Sequence, residues 1–93
     1  MFIVYNYVID SDVLDAFKTA GIKAYTKLER IHGQGSDTEP KLGTQLWPGE
    51  NNALFVAVSD EQIEVVVDLM KKIKRKHQRF GVKGFLLPVD EIF

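Results

Sequence analysis

The chain has no cysteine. That absence removes disulfides, thiolate metal sites and cysteine nucleophiles together, and it leaves the redox compartment undetermined. Histidine occurs only at His32 and His77, which limits the metal chemistry open to a single chain. Neither sign of charge is in excess: 12 Lys and Arg against 13 Asp and Glu leave a formal net charge of −1. A chain this near neutrality has no global field for a polyanion, so nucleic-acid binding is not expected. No apolar run approaches the ~20 residues of a membrane span. The apolar stretch from Phe2 to Ile9 lacks the basic flank and small-residue cleavage site of a signal peptide. A cytoplasmic protein without membrane insertion is the expectation. At 93 residues the chain is long enough for one core and not for two, so one domain over 1–93 is expected.

Proline and tryptophan are scarce, and their placement is uneven. Two of the three prolines, Pro40 and Pro48, fall between Gly33 and Asn52, together with Trp47 and the glycines Gly33, Gly35, Gly43 and Gly49. Unstructured connections beyond roughly 12–15 residues are uncommon in compact domains and tend to be functional. The 33–52 segment therefore reads as a long working loop carried on a small scaffold.

Around it, the apolar pattern is regular. Phe2 to Ile9 is β-branched and aromatic and reads as a central strand. Asp10 or Ser11 can cap a following helix, with Val13, Leu14, Phe17 and Ala20 as its buried stripe and Gly21 at its end. Residues 22–31 alternate as a second strand, and Ala53 to Val58 is a third. Ser59 with Gln62 forms a capping box ahead of a helix whose stripe is Ile63, Val66, Val67, Met70 and Ile73. Gly84 to Val89 reads as a last strand, with Pro88 placing it at an edge or a bulge. The order strand, helix, strand, loop, strand, helix, strand, with right-handed crossovers, gives an α+β fold. It is a ferredoxin-like βαββαβ sandwich, a four-stranded antiparallel sheet with two helices on one face. Since Phe2, Val4, Leu54, Val56 and Phe85 make the strands apolar on both faces, the open face calls for a partner, and self-association is expected.

With that pattern in place, the sequence resembles the P-II family of nitrogen-regulatory signalling proteins. Three features carry the resemblance. One is the order of elements with a long loop between the second and third strands. Another is Glu29-Arg30-Ile31-His32-Gly33-Gln34-Gly35, similar to the family's Glu-Val-x-Gly-x-Gly segment. The third is the run Gly81 to Ile92, similar to the family's Gly-x-Gly-Lys-x-Phe-x-x-Pro-Val-x-x-Ile ending. The departures are a shorter T-loop, Phe80-Gly81-Val82 in place of Gly-Asp-Gly, and an end at Phe93 ahead of two further arginines of the family. The resemblance implies a homotrimeric regulator, not an enzyme. It implies a small anionic ligand such as ATP, ADP or AMP, held between subunits by Gly33, Gln34, Gly35, Arg79, Gly81 and Lys83. A target protein would be engaged through the loop at Lys41, Leu42, Leu46 and Trp47.

The residues also admit plainer readings. Gly33-Gln34-Gly35 can present backbone amides to an anion or simply begin a flexible loop. Arg79 and Lys83 can contact phosphate or be solvated charge after a basic helix end, as Lys71, Lys72, Lys74, Arg75 and Lys76 are. Trp47 is either an anchor folding the loop onto the body or a hot spot for a partner. His32, with Asp37 and Glu39, could hold a divalent metal. That alternative would make the protein a metal-responsive trimer resembling the CutA-type divalent-cation tolerance proteins, which share this scaffold. No nucleophile–base–acid set or phosphate-binding loop of the Walker type is present to support catalysis.

Overall fold

The structure, a computed structural model, describes residues 1–33 and 50–93. Its elements are β1 (Phe2–Asn6), a 3-10 turn (Tyr7–Ile9), α1 (Asp10–Thr19), β2 (Thr26–Ile31), β3 (Asn51–Phe55), α2 (Asp60–Lys76) and β4 (Val82–Phe85). The four strands form one antiparallel sheet in the order β2-β3-β1-β4, and both helices pack on one face. This is the ferredoxin-like arrangement expected from the sequence.

The strands are shorter than their apolar runs, for local reasons. β1 stops at Asn6 instead of Ile9 because the Asn6 side chain accepts the Val8 N–H at 2.9 Å and turns the chain into the 3-10 segment. β2 begins at Thr26 and not at Ile22, because Ile22 belongs to the end of α1. There the Gly21 N–H donates to Lys18 and the Ile22 N–H to Phe17, at 3.0 and 2.9 Å, while Gly21 takes φ 80. That pair of bonds is a Schellman stop, which needs a left-handed residue and places an apolar one just beyond it. Ile22 is accordingly buried.

β3 starts two residues early, at Asn51, because Asn51 and Asn52 pair with Asn6 and Tyr5. β4 spans Val82–Phe85 and not 84–89, because its partner β1 runs out at Phe2. Pro88 therefore lies beyond the strand, although β4 is an edge strand as expected. At the start of α2 the Gln62 side chain accepts the Ser59 N–H at 3.0 Å, as the capping pattern predicts.

The core lies between sheet and helices. Ile3, Tyr5, Leu54, Val56 and Val82 come from the sheet and its margin, Val13 and Phe17 from α1, and Val66, Met70 and Ile73 from α2. The opposite face carries Phe2 on the inner strand β1, in the row of the sheet farthest from Asn6 and Asn51, directly across from Phe55 on β3 and Phe85 on β4. The ring centroids lie 6.4 and 6.3 Å from that of Phe2. Phe55 and Phe85 remain 50% and 46% exposed, and Leu28 on β2 remains 43% exposed. The sheet thus has a buried face and a helix-free aromatic face, as the two-sided apolar pattern requires.

Candidate ligand cleft and loop stem

One end of the sheet gathers the candidate residues. β2 delivers Ile31, exposed His32 and exposed Gly33 to this end, and β3 sets out from it after exposed Glu50. Here too the Tyr7 N–H donates to the Glu50 carbonyl at 3.1 Å, and the Asn6 N–H donates to the Gly81 carbonyl at 3.2 Å. Lys83 follows on β4, opposite Val4 and exposed, and Arg79 is exposed in the turn after α2. Gly33 and the Arg79–Lys83 group therefore share an end of the sheet, but β2 and β4 are its two opposite edges. Three inter-strand spacings separate them, about 14 Å. A single chain does not bring them together.

Gln34, Gly35, Lys41, Leu42, Leu46 and Trp47 lie outside the described residues, as do Asp37 and Glu39 of the proposed metal set. Among the described residues no group of three His, Asp or Glu is placed to hold a metal. His77, the other histidine, is engaged structurally. Its Nε2 lies 2.5 Å from Asp12 Oδ2, clasping the end of α2 to the first turn of α1, and Lys76 approaches the same carboxylate at 3.4 Å. The His77 bond, with Lys76 adding to it, holds the Asp12 carboxyl below its usual range.

The site also contains a polar hub not anticipated from the sequence. Asp10 Oδ1 accepts the Tyr5 hydroxyl at 2.6 Å and the Asn52 amide at 3.1 Å, while Oδ2 accepts the Lys27 ammonium at 2.7 Å. These four side chains tie β1, α1, β2 and β3 at the loop end of the sheet. Tyr5 and Asn52 are buried, so each needs a partner, and Asp10 supplies one to both. Burial pushes the Asp10 carboxyl up, but the bonds from Lys27, Tyr5 and Asn52 and the charge of Lys27 outweigh it. Asp10 is held below the usual carboxylate range. Lys27 is raised by its bond to Asp10. Burial first, then the bond to Asp10, pushes the Tyr5 phenol far up, so it stays a donor. The signals for this hub were present but scattered: a tyrosine within an apolar strand, a lysine in an alternating one, and an asparagine pair before another.

Just beyond Lys27 the ladder is irregular. Leu28 pairs with Ala53, and Ile31 pairs with Asn51, so three steps on β2 face two on β3. This β-bulge holds Arg30 at φ 58, the one non-glycine residue at positive φ among the described residues. A left-handed conformation costs a side chain such as arginine roughly 1–2 kcal/mol.

Comparison with known proteins agrees with this architecture. Residues 2–93 match the family described as nitrogen regulatory protein P-II, and the chain belongs to that family. Its members are regulatory signalling proteins and not enzymes. A relative from Methanothermococcus thermolithotrophicus, described as nitrogen fixation nifHD region GlnB-like protein 1, is 28% identical over 83 residues. The match covers 88% of this chain and 78% of the relative. The crystal structure of a PII-like signaling protein from Thermus thermophilus shares the fold, with a TM-score of 0.56 at 23% identity. That likeness covers 88% of this chain and 76% of the other. Among the described residues, no helix is long and apolar enough to cross a membrane.

Proposed function

We propose that this P-II family protein acts as a homotrimer that senses a small anion between its subunits and controls a target protein through the loop beginning at Gly33. The observation that carries this reading is the placement of Gly33 and Lys83 at one end but on opposite edges of the sheet. Residues so placed converge only when the edge of one copy meets the other edge of the next. The helix-free face with Phe2, Phe55 and Phe85 supports closure of copies against one another, since an aromatic patch of this kind is stabilised by leaving water.

In the resulting cleft, Gly33 to Gly35 of one copy would offer backbone amides, and Arg79 and Lys83 of its neighbour would offer cations. An adenine nucleotide suits such a pairing, because its phosphates take both amide and ammonium donors. The ligand acts by population shift: it binds one arrangement of the loop better than another and so changes what the loop presents to its target. The cellular setting in this reading is the cytoplasm.

Light scattering combined with calorimetric titration of ATP, ADP and AMP tests the proposal. It expects three times the 10.6 kDa chain mass, and nucleotide affinity weakened at least about tenfold by Lys83→Ala, the loss of roughly one charge-assisted bond. A monomer, or nucleotide affinity indifferent to Lys83→Ala, would contradict it.

A further inference from the structure

β2 is held unequally on the two sides of its bulge. Upstream, Lys27 is fixed to Asp10 at 2.7 Å, and Thr26, Lys27 and Leu28 pair in order with Phe55, Leu54 and Ala53. The facing strand is fixed along its whole start. Asn51 and Asn52 pair with Asn6 and Tyr5, the Asn52 amide bonds Asp10 at 3.1 Å, and the Glu50 carbonyl accepts Tyr7 at 3.1 Å. Downstream of the bulge, β2 keeps only the Ile31–Asn51 pair among the described residues and reaches it through the left-handed Arg30. The stem of the 33–50 connection is therefore rigid on β3 and strained on β2.

Two registers compete at this point. In the observed one, Ile31 lies opposite Asn51 and is partly covered, while Arg30 carries the backbone strain. A slip of one residue would place Glu29 opposite Asn52 and Arg30 opposite Asn51. That ladder is regular and returns Arg30 to extended backbone, but it removes Ile31 from the sheet. In an ordinary strand a one-residue slip turns every side chain to the other face. Here the Lys27–Asp10 anchor confines the slip to Glu29, Arg30 and Ile31, which lowers its cost. Glu29 stays beside Lys27, now 3.5 Å away, because residues two apart share a strand face. Arginine also suits the position vacated by Ile31, since its aliphatic stem can cover apolar surface while the guanidinium stays in water.

We infer that the end of β2 is a two-register stem, in which the Arg30 bulge passes one residue, Ile31, between the sheet and the connection that follows. The device belongs to the chain by itself and does not depend on which ligand the protein binds. It offers a small, discrete change at the loop base, with the β3 side as its fixed reference.

NMR relaxation dispersion on the full chain, with cross-strand Hα contacts to Asn51, tests this. Microsecond-to-millisecond exchange is expected at the amides of Glu29 to Gly33 and Asn51, with Lys27 and Leu54 quiet. Arg30→Gly, which makes positive φ free of steric cost, should quench the exchange with Ile31 opposite Asn51. Arg30→Val, whose branched side chain disfavours that conformation, should move residue 30 opposite Asn51. Exchange absent from Glu29 to Gly33, or spread evenly through Lys27 and Leu54, overturns the inference. So does an Ile31–Asn51 pairing that persists unchanged in both variants.

Discussion

The Lys27 ammonium lies 2.7 Å from the Asp10 carboxylate, joining the strand that leads into residues 34–49 to the first residue of α1. The same carboxylate satisfies buried Tyr5 and Asn52, so one side chain holds three strands in register. Asp10 also sits in the first turn of α1, where negative charge is favoured by the helix dipole. Asp10→Ala would leave three donors without their acceptor. We expect a loss of about 2–4 kcal/mol in urea unfolding, the range for breaking a largely covered, hydrogen-bonded charge. Asp10→Asn keeps an acceptor oxygen and should recover part of that loss.

Acid should reveal the same hub. The folded-state pKa of Asp10 is depressed, so its contribution is fully present above the unfolded aspartate value of about 3.9 and fades as pH falls through the lower folded value. The groups facing it are Tyr5 from β1, Lys27 from β2 with Glu29 beside it, and uncharged Asn52 from β3. Urea titrations should therefore show a wild-type advantage over Asp10→Asn that is flat above about pH 5 and shrinks below about pH 4. An advantage independent of pH down to acid denaturation would assign the stabilisation to packing alone.

The aromatic face should separate folding from assembly. Phe55 is half exposed, so Phe55→Glu should cost the isolated chain little, about 1 kcal/mol or less. In a trimer closed on that face, however, it buries a charge among Phe2 and Phe85 of the same sheet and their counterparts in other copies. Light scattering should report a trimer for the wild type and a folded monomer for Phe55→Glu, with an unchanged far-ultraviolet spectrum.

The cap of α2 predicts a smaller effect. Gln62 satisfies the Ser59 N–H at 3.0 Å on an exposed helix start. Gln62→Ala should destabilise by about 0.5–1 kcal/mol in denaturant unfolding, the scale of a lost cap bond.

How much of this was legible in the sequence depends on the range of the interaction. Ser59 with Gln62, Gly21 after α1, and the Val66, Met70 and Ile73 stripe were readable, because each involves neighbours a turn or two apart. Strand limits were less so. The apolar runs 2–9 and 84–89 overstate β1 and β4, since a strand ends where hydrogen-bonding partners end, and apolar character does not mark that point. Ile22 looked like strand and proved to be the apolar residue of a helix stop. The Asp10 hub was not legible, because it requires the register of three strands to bring residues 5, 10, 27 and 52 to one place. For the same reason, sequence placed Gly33 and Lys83 on two sides of a cleft between subunits through family resemblance alone, and the topology adds that they lie on opposite edges of the sheet.

That separation provides the most direct test of the proposed function. Among the described residues, a side chain at position 33 would meet no atom within 4 Å, and Gly33 does not require positive φ, so Gly33→Val should fold while crowding an anion at the backbone. Lys83→Ala removes the cation from the other edge. Nucleotide binding should be weakened at least about tenfold in trimers of either variant alone. When the two are unfolded together and refolded as mixed trimers, about a quarter of the clefts should pair an intact Gly33 from one copy with an intact Lys83 from its neighbour. Calorimetry on the mixture should recover that fraction of wild-type sites. Mixed trimers that bind as weakly as their parents would contradict a cleft built from two copies.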